Sequence, residues 1–292
     1  MHRRQFVQLS AAALTASLAR PLLALPKDDP YFSTIGLQLW TVRGQMKEDA
    51  AATMKAIADA GYKQVELGDP GNDELFKLAK DNGMSVTSSF INWEILANPK
   101  SDAYGTFDKV LEAAVEHGLK HLVFGYVGKG HRETVDQYKA MAEKCNAAGE
   151  SCTKAGIQLC YHNHAFEYEE IDGDKTGFDI FMAEFDKEYM KFELDVFWAK
   201  IGGWDPVETM EKLDGRISQL HLKDLAKDTP VIYDEGQVPV EAFKEVGNGS
   251  IDFAKVLKLA KKIGVEQCHV EQDQSPDPIA SIGESYQFLS KM

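Results

Sequence analysis

Ile217-Ser-Gln-Leu-His221-Leu-Lys223-Asp224 begins as an apolar strand and ends in charge. The same design recurs in three other runs. Leu159–Asn163 delivers His162 near its end, Phe192–Val196 delivers Asp195, and Gln267–Gln272 delivers Glu271. Each of these side chains is able to bind a divalent metal. If the four strands lie parallel around a barrel, their carboxyl ends share one rim. Residues far apart in the chain then meet around one ion, on the face where barrels place their chemistry.

Working outward from these runs, short apolar segments alternate with longer amphipathic ones. Strands are predicted at Thr34–Thr41, Gln64–Gly68, Ser85–Phe90, His121–Tyr126, Ile157–Asn163, Lys191–Val196, Ile217–Leu222 and Gln267–Gln272. Helices are predicted at Lys47–Ala60, Asp73–Asp81, Ala103–His117, Arg132–Ala155, Phe178–Glu188, Pro206–Leu213, Phe253–Ile263 and Ile279–Ser290. Their apolar residues repeat at three and four spacing, as in Met54, Ile57 and Ala58, the pattern of a helix laid on a sheet. Gly61, Gly83, Gly118, Gly156 and Gly264 each follow a helix and precede a strand, as expected of short connections closed by a glycine cap. Strict alternation of this kind predicts an α/β fold, a (β/α)8 TIM barrel in one domain. An open doubly wound sheet is the runner-up. It is disfavoured because the chain carries no GxGxxG loop and no phosphate loop. Asp224–Ser250 breaks the rhythm as a long polar segment on the functional rim, where such loops act as lids or binding loops.

Composition sets further bounds. Arg3 and Arg4 precede a moderate apolar stretch, Ala11–Leu25, interrupted by Arg20 and Pro21. Residues 1–26 therefore read as a Tat-like signal peptide, and residues 27–292 as the barrel, exported to the periplasm. The apolar run is too short and too interrupted for a stable membrane span. The signal carries three arginines and no acid, so its loss takes the formal charge from −14 to −17. So acidic a chain is unsuited to nucleic acid or to anionic membranes. Cys145, Cys152, Cys160 and Cys268 form no CxxC pair. Cys145 and Cys152 are seven residues apart on one helix, about 10 Å of rise, too far for a disulfide. Core thiols are expected.

The candidate residues carry chemistry by position. Glu193 lies two before Asp195 and shares its face, and His221 and Lys223 alternate onto one face likewise. Asp195 read alone is a helix N-cap; beside His221 and Glu271 it reads as a metal ligand. Glu271 on a barrel rim needs a cation or hydrogen bonds to stay ionised, and His269 shares its face. On the fifth strand, period two places His162 and His164 together, with Tyr161 and Asn163 opposite. Either histidine, or Glu167 beyond the strand, completes the set. Glu66 ends the second strand as a candidate for a substrate hydroxyl. Trp40, Trp93, Trp198 and Trp204 lie at or just past strand ends, where aromatic faces suit sugar C–H surfaces; plain core packing is the alternative for each.

Gly36-Leu-Gln-Leu-Trp-Thr-Val-Arg43, Gly61-Tyr-Lys-Gln-Val-Glu-Leu67, Tyr161-His-Asn-His164, Glu193-Leu-Asp195, His221-Leu-Lys-Asp224, Val246-Gly-Asn-Gly-Ser-Ile-Asp252 and Val270-Glu271 occur in that order. Together they resemble the sugar phosphate isomerase/epimerase family, with its xylose isomerase-like TIM barrel. The resemblance implies one divalent metal, Mn²⁺ first and Mg²⁺, Co²⁺ or Zn²⁺ as alternatives, held by Asp195, His221, Glu271 and a fourth ligand. Relatives carry glutamate at that fourth place, where this chain has His162. The substitution removes one of the two glutamates that serve as an acid/base pair in epimerases. The implied reaction is isomerisation or epimerisation of a sugar or keto-sugar by proton abstraction beside a polarised carbonyl. Glu271 would be the base, with Lys223, His164, His269 or Glu167 as proton donors, and Glu66, Trp40, His269 and Trp198 as substrate contacts. The same abstraction also serves β-elimination on a 3-keto glycoside, a substrate suited to a periplasmic address. A non-catalytic sugar-binding barrel is the competing class. An endonuclease of the same barrel ancestry is disfavoured by the acid surplus and the export signal. The expected partner is a small sugar or keto-glycoside; homo-oligomerisation is left open.

Overall fold

The structure, a computed structural model, describes residues 35–100, 105–213 and 215–292. The signal-like segment 1–26 lies outside the described residues, as does the first residue of the first predicted strand. Eight parallel strands close into a barrel: β1 (Ile35–Gln38), β2 (Gln64–Leu67), β3 (Ser85–Ile91), β4 (His121–Phe124), β5 (Gln158–His162), β6 (Met190–Asp195), β7 (Ile217–Leu222) and β8 (Gln267–Val270). Each pairs with its sequence neighbours and β8 pairs with β1, so no strand edge is left free. The predicted alternation is therefore observed, with the strands in their predicted places.

Helices pack around the outside: α1 (Ala50–Ala60), α2 (Asp73–Asp81), α3 (Phe107–Glu116), α4 (Val135–Lys154), α5 (Gly177–Glu184), α6 (Pro206–Lys212), α7 (Phe253–Ile263) and α8 (Pro278–Leu289). The first predicted helix is in fact two, Arg43–Glu48 and α1, split at Asp49. Asp49 is extended and its carboxylate caps the Ala52 amide at 2.9 Å, so the chain restarts there. The fifth predicted helix stops at Glu184, because Asp186 turns back to cap the Glu188 amide. The five predicted cap glycines all have positive φ. At Gly61, φ is 117°, and a Cβ there would also collide with the Tyr286 ring. All four cysteines are buried, as expected of core thiols. No helix among the described residues is long and apolar enough to cross a membrane.

The long segment after β7 is ordered by one side chain. Asp224 accepts backbone hydrogen bonds from Gly247, Gly249, Ser250 and Ile251 at 2.8–3.1 Å. A Cβ on Gly249 would strike that carboxylate, which explains the glycine. Asp224–Leu225 pairs antiparallel with Phe243–Lys244, and a small apolar cluster of Phe197, Trp198, Leu225 and Phe243 fills the space beneath. The intervening chain reaches across the rim, where Glu235 meets Tyr126 and Arg132.

The barrel interior is polar to an unusual depth. Inward positions two apart climb the barrel: Gln219 and His221 on β7 and Lys223 just past its end, then Gln267, His269, Glu271 and Asp273 along β8 and its extension. The lowest level is closed by Gln267, which accepts from Gln64 at 2.9 Å and from Thr87 at 2.6 Å. The next levels form the site.

Candidate metal centre and catalytic cavity

His162, Asp195, His221 and Glu271 converge: one ligand atom from each lies within 4.8 Å of the others. All four are buried. Strand register explains the meeting. Asp195 pairs with His221 across β6 and β7, and His162 pairs with Glu193 across β5 and β6. Asn163 clamps the Asp195 backbone from both sides, donating to its carbonyl and accepting from its amide at 3.2 and 3.0 Å. Asp195 then serves in both of its expected capacities. Oδ1 caps the Trp198 amide at 2.9 Å, while Oδ2 is buried and lies 3.1 Å from the Lys223 ammonium.

A second acidic level lies beneath. Glu66, Glu193, His221 and His269 form another cluster, every member fully buried. His221 belongs to both. Its Nε2 faces Glu66 at 2.7 Å and Glu193 at 3.2 Å, and its Nδ1 faces Glu271 at 2.9 Å. Burial disfavours a charged His221 ring, but Glu193 and Glu66 outweigh burial and raise its pKa well above the usual histidine range, so Nδ1 would have to give up its proton to ligate an ion while Nε2 keeps its own for Glu66 and Glu193. His162 is set the same way, with Nδ1 at 3.2 Å from Glu193 and Nε2 at 3.9 Å from Asp195 Oδ2. Two imidazole nitrogens and two carboxylates within this distance of one another fit a divalent ion. The mixed donor set suits Mn²⁺, Zn²⁺ or Co²⁺ better than Mg²⁺, which favours oxygen alone.

Lys223 is the fixed cation of the site. It is 2 % exposed, and its ammonium lies 2.5 Å from Glu271, 2.8 Å from Asp273 and 3.1 Å from Asp195. Burial disfavours its charge, but the three carboxylates outweigh burial and hold its pKa well above the usual lysine value. Burial likewise works against the Glu271 carboxylate, which Lys223 and His221 nevertheless hold below its usual range. Asp195 is pushed up to about 6 by burial, with Lys223 and His221 opposing. His164 is driven down to about 3 by burial and by Lys223, so its ring is neutral near pH 7. Its Nδ1 is buried without a hydrogen-bond partner.

A cavity of about 390 Å³ opens above this floor. Of the expected site residues, His162, His164, Lys223, Glu271 and Trp40 line it, with Trp40 54 % exposed at the mouth. Four expectations change. Glu66 does not reach the cavity: Gln38, Ser88 and His221 surround it, so it holds His221 rather than a substrate. His269 is likewise one level too deep, in contact with Gln64 at 3.0 Å. Glu167 turns away, because the chain after Asn163 folds into a short helical turn. There it accepts from the Tyr161 hydroxyl and from the His164 amide at 2.9 Å. Trp198 packs beneath Lys223, ring centre 5.3 Å from the ammonium, instead of facing the opening. Residues the sequence reading passed over are Asp273, Phe90 and Tyr126. Asp273 had a signal, since it lies two past Glu271 and therefore on the same face. The aromatic pair had none, being ordinary strand-end hydrophobes.

Comparison with known proteins identifies the fold and the family. Residues 54–292 match the family described as xylose isomerase-like TIM barrel. Inosose dehydratase of Clostridium perfringens is 26 % identical over 250 residues, covering 75 % of this chain and 81 % of that protein. A sugar phosphate isomerase/epimerase from Parabacteroides distasonis superposes with a TM-score of 0.71 at 25 % identity, over 88 % of this chain and 93 % of that one. The 3-keto-D-glucoside 4-epimerase of E. coli shares the fold, with a TM-score of 0.65 at 14 % identity over 89 % of this chain and 99 % of that one. By fold, by strand-end pattern and by a match over most of its length, the chain belongs to the xylose isomerase-like TIM-barrel family.

Proposed function

We propose that this chain, a sugar-modifying TIM-barrel enzyme, is a metal-dependent lyase. It would remove the proton beside the carbonyl of a keto-sugar and expel the oxygen substituent on the next carbon. The observation that carries the reading is an asymmetry. The carboxylates lining the cavity, Glu271 and Asp273, both extend from β8, whereas β3 to β5 present Phe90, Tyr126, His162 and His164. Epimerisation by two bases needs one on each face of the reacting carbon; elimination needs one. The similarity to inosose dehydratase, a lyase by name, supports the same choice.

His162, Asp195, His221 and Glu271 would hold the ion. When bound, such an ion supplies Lewis acidity, which lowers the pKa of a C–H beside a carbonyl. Glu271, kept ionised by Lys223 and His221, takes that proton. The electron pair released moves toward the carbonyl, then forms the new C=C bond as the C–O bond on the next carbon breaks. The proton taken by Glu271 goes to the departing oxygen, so an alcohol or water leaves and an unsaturated ketone remains. Lys223 stays an ammonium and offsets charge building on oxygen rather than giving up its own proton. Trp40 and Phe90 exclude water from one side of the ring.

The test is to incubate Mn²⁺-loaded protein in D₂O with a panel of 3-keto glycosides and keto-inositols. Deuterium at the α-carbon of recovered substrate, together with an enone absorbance from the product, is the expected result. Absence of both across the panel would sink the proposal. Exchange with an inverted, saturated product would instead favour epimerisation, a second reading supported by His164, whose ring is neutral and whose Nδ1 has no hydrogen-bond partner. The Arg3-Arg4 leader is proposed to direct export, which fractionation of cells making the full chain tests.

A further inference from the structure

The long segment after β7 supplies none of the described residues from Asp224 to Ser250 to the lining of the catalytic cavity. It nonetheless reaches that cavity's wall through one oxygen. Oε1 of Glu235 accepts from the Tyr126 hydroxyl at 2.7 Å and from Arg132 Nη2 at 3.1 Å. Tyr126 lines the cavity. Arg132 is 9 % exposed, and its guanidinium lies 3.4 Å over the Phe166 ring. Glu235 is itself fixed in place. It opens a short helical turn, Glu235–Gln237, capped by Asp234, whose carboxylate accepts from the Gly236 amide at 3.0 Å.

Tyr126 and Phe166 both pack on His164, which lines the cavity. A histidine ring is usually aimed by a hydrogen bond at one of its nitrogens. His164 Nδ1 is buried and has no such partner, so neighbouring rings do the aiming. Phe166 stacks on His164 with centres 5.6 Å apart and planes within 11°. Tyr126 meets His164 edge-on at 5.5 Å and 87°, and meets Phe166 in the same manner at 5.6 Å and 83°. Trp198 adds a third ring at 5.3 Å. Of these three, Tyr126 depends on Glu235 directly and Phe166 depends on it through Arg132. A phenol and a guanidinium that share one carboxylate oxygen move with it. Without that oxygen the buried Arg132 loses its ion pair and Tyr126 loses its acceptor, so both would turn toward water or new partners.

We propose that Glu235 is a positioning residue for the catalytic cavity: through Tyr126 and Arg132 it fixes the ring of His164, and the long segment thereby braces the site from outside. The consequence for turnover rests on the keto-sugar chemistry proposed above; the fixing of the ring does not.

Two readouts separate them. The first is NMR of the histidine-labelled full chain with Zn²⁺, a diamagnetic ion, added. The His164 ring signals are assigned by their loss in His164→Asn. Flanking rings displace these signals from free-histidine values. In Glu235→Ala they are expected to move back toward those values. In Glu235→Gln, which still offers an oxygen to Tyr126 and Arg132, they are expected to stay. Unmoved signals in Glu235→Ala would overturn the proposal. If that variant does not fold, Tyr126→Phe, which removes only the hydroxyl, decides by the same criterion. The second readout is keto-sugar turnover. Glu235→Ala is expected to lower kcat about tenfold with KM within about twofold, and to lower the residual kcat of His164→Asn no further. The same fall in both backgrounds would mean that Glu235 does not act through His164. If the natural protein turns over no keto-sugar, the proposed function has failed, and the NMR result alone decides the positioning role.

Discussion

Two quartets of histidine and acid share His221, and they are built from the same residue types for opposite ends. The upper one, His162, Asp195, His221 and Glu271, borders a cavity and has Lys223 beside it. The lower one, Glu66, Glu193, His221 and His269, is sealed on all sides. The difference teaches that ligand-like residues are not a site by themselves. Access to the cavity, with Lys223 alongside, sets the upper quartet apart as the proposed place for an ion and a substrate. The lower quartet accepts the imidazole protons and thereby aims the nitrogens above it.

The comparison can be broken in several ways. The largest effect is expected from the upper level: Glu271→Gln should lower kcat/KM for a keto-sugar about 10²–10⁴-fold, the range of a lost general base, read by α-proton exchange. Near-normal exchange would remove Glu271 as the base. Next comes Lys223→Met, which leaves Asp195, Glu271 and Asp273 without their shared cation. Urea denaturation of metal-free protein should show a loss of about 3–5 kcal/mol, partly recovered on adding Mn²⁺. Equal loss with and without Mn²⁺ would mean that no ion reaches those carboxylates. Chelation of the natural protein tests the ion itself. At a hundredfold excess over its Kd, Mn²⁺ should add about 2.7 kcal/mol of stability, seen as a rise in Tm that EDTA reverses.

Smaller effects belong to the lower level. Glu66→Gln should weaken Mn²⁺ about 10–100-fold in a metal titration, because His221 loses the charged acceptor behind it. An unchanged affinity would show that Glu66 does not aim the ring. His269→Asn should matter least, about 1–3 kcal/mol of stability from the lost buried partner, while KM stays within about twofold. A large rise in KM would return His269 to the substrate-contact role that its sequence position suggested.

Much of this was legible in one dimension. Period-two alternation and strand-end polarity pointed to Asp195, His221 and Glu271, and the same alternation extended by one step would have reached Asp273. His162 and His164 were read onto one face, and both do line the cavity. Glu66, His269 and Trp198 were misplaced for one reason: a sequence says which face of a strand a side chain is on, but not how high the barrel floor stands. Glu167 was misplaced because a short helical turn reversed its direction, and such turns leave a weak pattern.

What the chain determined by itself was therefore the barrel and its inward face, since both follow from local periodicity, burial and glycine-capped connections. What only the tertiary structure decided was depth and adjacency. Barrel closure and stagger set which inward residues meet the cavity and which lie beneath it. They also bring Glu235 across the rim to Arg132, because long-range register is a property of all eight strands together and of no single segment.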